Sequence, residues 1–148
     1  MNVSNLASRI RRLLAYFIDL IILIPVMAIV SWLTGGWTSL AAGELSLSSY
    51  WLTALVSLAV FILVNARLLL EHGQTWGKRT MGIRIASLAG SVPEKSQLVK
   101  RYLFYWGVPL LPLIGWLLEF ANILFVFSGS RRCLHDRFAK TVVLQVQA

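Results

Sequence analysis

Charged residues are scarce in this sequence. They make up 14% of its 148 residues, whereas an ordinary soluble domain carries about 25%. Hydrophobic residues make up 57%, and the mean hydropathy is +0.72. This composition excludes an ordinary soluble domain and indicates an integral membrane protein. At this length, we expect residues 1–148 to form a single membrane domain.

Acidic residues are few, and there is a single cysteine. Six Asp and Glu stand against fourteen Lys and Arg, which gives a net charge of +8, and the single Cys133 excludes an internal disulfide. A positive charge can indicate nucleic-acid binding, but neither an aromatic RNA-reading motif nor a zinc-ligand spacing accompanies it. The cations lie beside apolar segments instead. We therefore predict contact with the lipid bilayer, through anionic lipid headgroups at the cytoplasmic face, and no nucleic-acid partner.

Recognisable catalytic motifs are also missing. The sequence has no nucleophile elbow, no zinc-protease helix and no carboxylate pair at a known spacing. His135 and Asp136 are adjacent and would diverge on a helix, and His72 stands alone. The stretch from Gly73 to Thr80 gathers glycine, lysine and threonine, but its spacing does not fit a nucleotide-binding phosphate loop. We predict no enzyme activity, no metal site and no cofactor.

Long apolar runs dominate what is present. One covers about residues 13–33 and a second about 50–70, each close to the ~20 residues that cross the hydrocarbon core as a helix. The first is too long for the core of a signal peptide, and it contains Asp19. The connection 34–49 has no Lys or Arg, whereas the N-terminus and the segment 71–101 are rich in basic residues. The positive-inside rule therefore places the N-terminus in the cytoplasm.

The third apolar stretch, 102–127, contains two prolines and two glycines as well as Glu119 and Asn122. A single span would place the basic segment 128–148 outside, against the charge rule, and two full spans would need twice ~20 residues. We predict two shorter helices broken near Val108–Gly115, re-entrant or strongly tilted, which return the C-terminus to the cytoplasm. One continuous third span is the alternative.

Two short segments have the pattern of strands. Around Arg84 the chain alternates Ile83 and Ile85 with a polar residue, and the segment 141–146 is rich in β-branched residues. Because isolated strands are marginal, we expect the two to pair. The predicted fold is an all-α transmembrane helical bundle with a small two-stranded cytoplasmic clasp.

Asp19 poses the main chemical question, because an ionised carboxylate inside a span costs at least ~2.5–3.5 kcal/mol. Arg12 lies seven residues earlier, on nearly the same helix face and ~10 Å away along the axis. Asn65, Arg67 or Arg101 could reach Asp19. In a structural interpretation, Asp19 bonds buried backbone or an arginine and locks helix packing. In a functional interpretation, it binds a proton or monovalent cation, and the candidate site is Asp19, Glu119, Asn65 and Asn122.

Three separated motifs resemble those of the RDD family of small bacterial membrane proteins. They are R-x-x-A-x-x-x-D, G-Q-T-x-G-K-x-x-x-G and L-H-D, and together they cover essentially the whole chain. The resemblance implies a polar core of one arginine and two aspartates: Arg12, Asp19 and Asp136. It also implies a cytoplasmic motif of Gly73, Gln74, Thr75, Gly77, Lys78, Gly82, Arg101 and Thr141. Trp76 departs from the proline or small apolar residue expected at its position.

Two classes of function follow from these observations. In the first, which the resemblance also suggests, the protein is transport-related and moves a cation or proton through a homo-oligomer by means of a buried carboxylate. In the second, it is a membrane scaffold or an assembly or regulatory partner, and the Arg-Asp-Asp residues form structural ion pairs. Asp136 is expected near the clasp, where it could pair with Arg12, Lys78 or Arg84.

Overall fold

Two long helices, α1 and α3, form the main part of the fold. The computed structural model describes residues 5–111, 114–127 and 132–146. Its helices are α1 (Arg9–Leu33), α2 (Gly36–Ala41), α3 (Leu47–His72), α4 (Trp76–Thr80), α5 (Lys95–Gly107), α6 (Gly115–Leu124) and α7 (Leu134–Phe138), and its strands are β1 (Ile83–Ser87) and β2 (Thr141–Gln145).

Serine caps set where the two long helices begin. Ser8 accepts a hydrogen bond from the backbone N of Arg11 at 3.3 Å, and Ser46 accepts one from that of Ser49 at 3.4 Å. The helices therefore begin a few residues before the predicted apolar spans. With 25 and 26 residues, both are long and apolar enough to cross a membrane, as the sequence predicts.

The third apolar stretch is broken, as predicted. Helix α5 ends at Gly107, a 3-10 turn follows at Val108–Leu110, and α6 begins only at Gly115. With 13 and 10 residues, α5 and α6 are ~20 Å and ~15 Å long, and neither alone reaches across ~30 Å of hydrocarbon. The proline- and glycine-containing segment thus interrupts the helix, whereas the choice between a re-entrant stretch and a single third span stays a prediction.

The predicted clasp is confirmed as an antiparallel pair of β1 and β2. Its register pairs Ile83 with Gln145, Ile85 with Val143 and Ser87 with Thr141. The chain preceding α1 joins the same sheet edge, since the backbone N of Ala7 donates to the carbonyl of Val143 at 3.0 Å. A third segment thus covers the outer edge of β2.

The clasp is packed directly against the helices. Ile85 belongs to a buried cluster with Leu23 of α1, Phe61 of α3 and Leu98 of α5. Ile83 and Val143 form a second buried cluster with Ala7 and Ala15. The start of α1, the end of α3 and the clasp therefore lie at one end of the bundle, which we call the clasp end. The 34–46 connection with α2 lies at the opposite end, which we call the loop end.

Gly73 joins α3 to the clasp in a way that requires glycine. Its φ is +67°, and a Cβ there would lie 2.3 Å from the carbonyl oxygen of Ile85. The backbone N of Ile85 also donates to the Gly73 carbonyl at 2.7 Å. Gly82 has a similar φ of +63° but faces open space.

We expect Gly73→Ala to lower the free energy of unfolding by about 3 kcal/mol, because conformational strain and overpacking add at this site. Gly82→Ala should lower the free energy of unfolding by only about 1 kcal/mol, since its positive φ is strained for alanine but no atom is overpacked. Thermal unfolding in an uncharged detergent measures both. Equal losses for the two variants would show that the close approach of Gly73 to β1 is unimportant.

Candidate functional site

Asp19 meets the turn that follows α3. Its Oδ2 accepts a hydrogen bond from the hydroxyl of Thr75 at 2.6 Å, and its Oδ1 accepts one from the backbone N of Gly77 at 2.8 Å. The ammonium of Lys78 lies 3.7 Å from Oδ2. These contacts offset part of the cost of placing a carboxylate in an apolar helix. We call Asp19, Thr75, Gly77 and Lys78 the Asp19 cluster.

The glycine and threonine of this turn are dictated by its geometry. A Cβ at Gly77 would lie 2.1 Å from the carbonyl oxygen of Ala15 and 2.9 Å from the Cγ of Asp19. Thr75 uses one hydroxyl twice, since it donates to Asp19 and accepts from the backbone N of Lys78 at 3.3 Å as the N-cap of α4. Helix α4 is thus fastened against α1 by the carboxylate.

Asn65 supports this turn from α3. Its Oδ1 accepts from the backbone N of Trp76 at 3.0 Å, and its Nδ2 donates to the carbonyl of Phe61 at 3.1 Å. The side chain is buried, with 3% of its surface exposed. Asn65 therefore positions the turn that carries the hydrogen-bond donors to Asp19.

Asp136 is the centre of a second group at the clasp end. Arg101 forms a buried ion pair with its Oδ1, and Nη1 of Arg12 lies 3.5 Å from Oδ2. The backbone N of Cys133 also donates to Oδ2, at 3.1 Å. Arg101 donates further to the hydroxyl of Thr141 at 2.9 Å. We call Arg12, Arg101, Asp136 and Thr141 the Asp136 cluster.

The charges of this cluster stabilise one another. Burial alone would raise the pKa of Asp136, but Arg101 and, to a lesser extent, Arg12 more than offset that effect and hold the pKa below its ordinary value. Asp136 is therefore ionised throughout the physiological range. Removing one partner of such a pair leaves an uncompensated buried charge, which typically costs ~3–5 kcal/mol.

Arg12 also ties α1 to the clasp, because its Nη2 donates to the carbonyl of Val143 at 3.0 Å. Arg12 and Asp19, seven residues apart on α1, thus serve different clusters. Arg132 completes the second one by donating to the backbone carbonyls of Thr141 and Asp136 at 3.0 and 3.1 Å. The sequence gives no signal for Arg132 beyond a basic residue near the L-H-D motif.

His135 and Asn122 form a buried pair beside Asp136. The backbone N of His135 donates to Oδ1 of Asn122 at 3.2 Å, and the Asn122 amide nitrogen lies 2.9 Å from Nδ1. Burial and, secondly, the positive charge of Arg101 lower the pKa of His135 to about 3. The imidazole is therefore neutral at physiological pH.

In the Asp19 cluster, the pKa of Lys78 is perturbed. Burial lowers the pKa of its ammonium group, and the adjacent Asp19 partly opposes that shift by favouring the charged form. Lys78 also lies 3.4 Å from the hydroxyl of Thr75. Asp19, Thr75 and Lys78 therefore lie within hydrogen-bonding or ion-pairing range of one another.

A cavity of about 580 Å³ runs along the bundle and joins the two clusters. At the clasp end it is lined by Asp19, Lys78, Arg101 and Asp136, and it continues past Ser49 of α3 to the loop end. Its volume falls within the ~300–1,000 Å³ of small-molecule sites. Both clusters therefore face this cavity.

The residues of the predicted ion site are placed in two locations. Asn65 lies with the Asp19 cluster, whereas Asn122 contacts His135. Glu119 lies on α6, but its side chain is outside the described residues. The cationic partner of Asp19 is Lys78, since Arg67 pairs with Glu71 at 3.0 Å.

The remaining residues of the motif shape the turn and the clasp. Gln74 donates to the carbonyl of Ile83 at 2.9 Å, and Gly73 and Gly82 adopt positive φ. Three cations were expected to pair with Asp136. Arg12 does so, whereas Lys78 pairs with Asp19. Arg84 instead donates to the carbonyl of Gly90 at 3.0 Å and supports a loop.

Three potential metal-ligand atoms, from Cys133, His135 and Asp136, lie within 4.8 Å of one another. Two arginines already contact the Asp136 carboxylate, and Asn122 holds the His135 ring. A metal cation would have to displace or approach those guanidinium groups. The arrangement therefore fits an internal hydrogen-bond network better than a metal centre.

The fold and its two clusters define a class of protein: a small helical membrane protein in which buried charges fasten the spans to a clasp. The profile of the RDD family matches residues 6–140, so the chain belongs to the RDD family. Neither a curated protein nor a solved structure was found to match the chain. Membership confirms the resemblance drawn from the motifs and, together with α1 and α3, identifies an integral membrane protein.

The hydroxyl of Thr75 gives a direct test of the Asp19 cluster. We expect Thr75→Val to lower the free energy of unfolding by about 2 kcal/mol, because it removes a hydrogen bond to a carboxylate together with a helix cap. Thr75→Ser keeps the hydroxyl and should lose less than half as much. If the two variants unfold at the same temperature in detergent, the hydrogen bond to Asp19 contributes little.

His135 should make the protein less stable at mildly acidic pH. Its folded pKa of about 3 lies below the value of ~6.5 for an unfolded chain, so the unfolded state takes up the proton first as the pH falls below ~6.5. The free energy of unfolding should drop by about 2 kcal/mol from pH 7 to pH 5. Unfolding in detergent at both values measures this drop, and His135→Asn should largely remove it. His72→Gln, at an exposed position, should retain it.

Proposed function

We propose that this RDD-family protein is transport-related and moves protons across the bacterial inner membrane, with Asp19 and Lys78 as the exchange site. The observation that carries the proposal is the cavity leading from the loop end to these two side chains. Ionisable side chains within membrane spans commonly mark ion or proton pathways. Here such a side chain lines the clasp end of the cavity.

A row of hydroxyl groups along α3 supports a wet path. Ser49, Thr53 and Ser57 follow one another every fourth residue, are buried, and line the cavity. Thr53 approaches Ser31 of α1 at 3.4 Å, but the hydroxyl of Ser57 has no hydrogen-bond partner among the described residues. An unpaired hydroxyl in an apolar environment is costly, so water in the cavity is the natural partner of Ser57. Water and hydroxyls in sequence can conduct a proton.

The charges at the clasp end favour a proton over a monovalent metal cation. Four cationic side chains line this part of the cavity against two carboxylates: Arg9, Arg12, Lys78 and Arg101 against Asp19 and Asp136. A sodium or potassium ion would compete with the Lys78 ammonium for Asp19 and would be repelled by the guanidinium groups. A proton meets no such competition, because Lys78 can itself release and rebind one.

Charge distribution also supports an orientation in the membrane. The clasp end carries Arg9, Arg11, Arg79 and Lys100, whereas the connection 34–46 at the loop end has no Lys or Arg. By the positive-inside rule, the clasp end faces the cytoplasm, where its cations contact anionic lipid headgroups. The ends of the chain near α1 and β2 would then both be cytoplasmic.

Association of several copies is part of the proposal. In the apolar window of α1, 11% of the residues are buried within one chain, against 33% for α3. Large apolar side chains such as Ile21 and Ile29 cover the outer face of α1. This surface suits lipid or a second copy, and a homo-oligomer would enclose a path that two spans line only in part.

The alternative function, a membrane scaffold or assembly partner, is favoured by one specific observation. Every carboxylate oxygen of Asp19 and Asp136 already has a hydrogen-bond or ion-pair partner. Such satisfied pairs can serve as structural locks with no transported species.

Proton flux in liposomes separates the two functions. In proteoliposomes with a pH-sensitive dye inside, we expect proton flux under an imposed potential to be reduced at least tenfold by Asp19→Asn, because the exchange site loses its charge. Glu71→Gln is the matched control, since it removes an exposed carboxylate that does not line the cavity. It should leave the flux unchanged.

Folding and oligomer size of each variant are checked by circular dichroism and light scattering. Wild-type flux no greater than that of empty liposomes would overturn the transport proposal and favour the scaffold. Sodium or potassium flux that exceeds proton flux would overturn the preference for a proton.

A further inference from the structure

We propose that the same cavity binds an anionic amphiphile, a molecule with a phosphate or carboxylate head and one hydrocarbon tail, with the head at the clasp end. This inference deepens the proposed function, on which it rests in taking the cavity as the working site. The amphiphile would be the solute whose binding accompanies proton exchange at Asp19 and Lys78.

The clasp end attracts an anion. Its lining holds two more cationic side chains than carboxylates. The cations are Arg9, Arg12, Lys78 and Arg101, and the carboxylates are Asp19 and Asp136. Lys78 is partly buried, with 17% of its side chain exposed, so water screens its charge less than it would at the surface. An anionic head placed here would bring the local charge close to neutrality.

The loop end has the opposite character, which sets the direction of the ligand. There the cavity is lined by Glu44 and by neutral polar residues such as Ser46 and Tyr50. None of the cationic side chains lining the cavity in the described ranges lies at this end. An anionic head would be repelled by Glu44 and drawn to Lys78.

The middle of the cavity is apolar, which a proton path alone does not require. Leu20, Leu23 and Met27 of α1 line one side and Phe61 of α3 another. Beyond Asp19, the lining of α1 from Leu20 to Ser31 extends ~17 Å, a length suited to an extended hydrocarbon tail. Apolar side chains gain by covering such a tail and offer nothing to an inorganic anion.

Trp106 marks the boundary between head and tail. Its ring packs on Phe61 with centroids 5.5 Å apart, and its buried Nε1 donor has no hydrogen-bond partner among the described residues. Trp106 follows Arg101 by five residues on α5, ~8 Å along the helix. A donor at this distance from the cations suits an oxygen at the junction of head and tail.

Head and tail are tested separately with four probes, by calorimetry of the full chain in an uncharged maltoside detergent and by native mass spectrometry. The probes are dodecyl phosphate, dodecanoate, dodecyltrimethylammonium and inorganic phosphate. We expect the two anionic amphiphiles to bind with one molecule per chain, at least tenfold more tightly than either other probe. Equal binding of dodecyltrimethylammonium, or inorganic phosphate binding as tightly as dodecyl phosphate, would overturn the inference.

Three cavity variants and two control variants locate the binding. Lys78→Gln and Arg9→Gln should each weaken dodecyl phosphate binding about tenfold, because each removes one charged contact. Arg11→Gln, an exposed neighbour outside the cavity, should not. Ala54→Phe fills the cavity and should reduce binding at least tenfold, whereas Ala59→Phe, on the exposed face of α3, should not. Arg9→Gln and Ala54→Phe keep the test decisive if Lys78→Gln fails to fold.

Binding and proton flux can fail independently. Folded wild-type protein that conducts protons but binds neither anionic amphiphile would overturn this inference and leave the proposed function intact. Equal binding by the cavity variants and their controls would place the amphiphile elsewhere and would also overturn it.

Discussion

The buried charge of Asp136 is the constraint on which the rest of the clasp end depends. A carboxylate with 1% of its side chain exposed persists only if its surroundings supply compensating charge and hydrogen bonds. Arg12 comes from the start of α1, and Arg101 comes from α5. Asp136 itself lies on α7. Because the arginines of α1 and α5 both contact its carboxylate, Asp136 fixes the relative positions of the three helices.

The Asp19 cluster applies the same principle about two helix turns further along α1. Its donors come from the short turn after α3, so α1 and α3 are connected through a carboxylate as well as through apolar contacts. In lipid, apolar contact between helices has little hydrophobic driving force, because hydrocarbon tails are as apolar as leucine. Polar contacts of defined geometry are therefore an effective way to specify which helix faces meet.

Much of the fold could be predicted from the sequence, because its signals are local. Apolar length predicts α1 and α3, prolines and glycines predict the break after α5, and β-branched residues predict β2. The first residues of α1 and α3 were less predictable, since the N-caps Ser8 and Ser46 start each helix a few residues before its apolar segment.

The candidate site was predictable only in its components. The motifs name Asp19, Lys78 and Asp136, but no spacing indicates that Lys78 pairs with Asp19 while Arg101 pairs with Asp136. Those choices depend on how the turn after α3 folds under α1. The cavity is a property of all the packed elements together. The role of Arg132 is equally invisible, because it contacts backbone carbonyls.

The wide separation along the chain of the paired charges has a consequence for biosynthesis. Asp19 precedes Thr75 by 56 residues, and Arg12 precedes Asp136 by 124. At ~5–20 residues per second, the ribosome supplies Asp136 ~6–25 s after Arg12. For about the first half of that interval the carboxylate of Asp19 lacks its partners, and for all of it the guanidinium of Arg12 lacks Asp136. The nascent helix must therefore stay near water, in the insertion machinery or at the membrane surface, until the last part of the chain arrives.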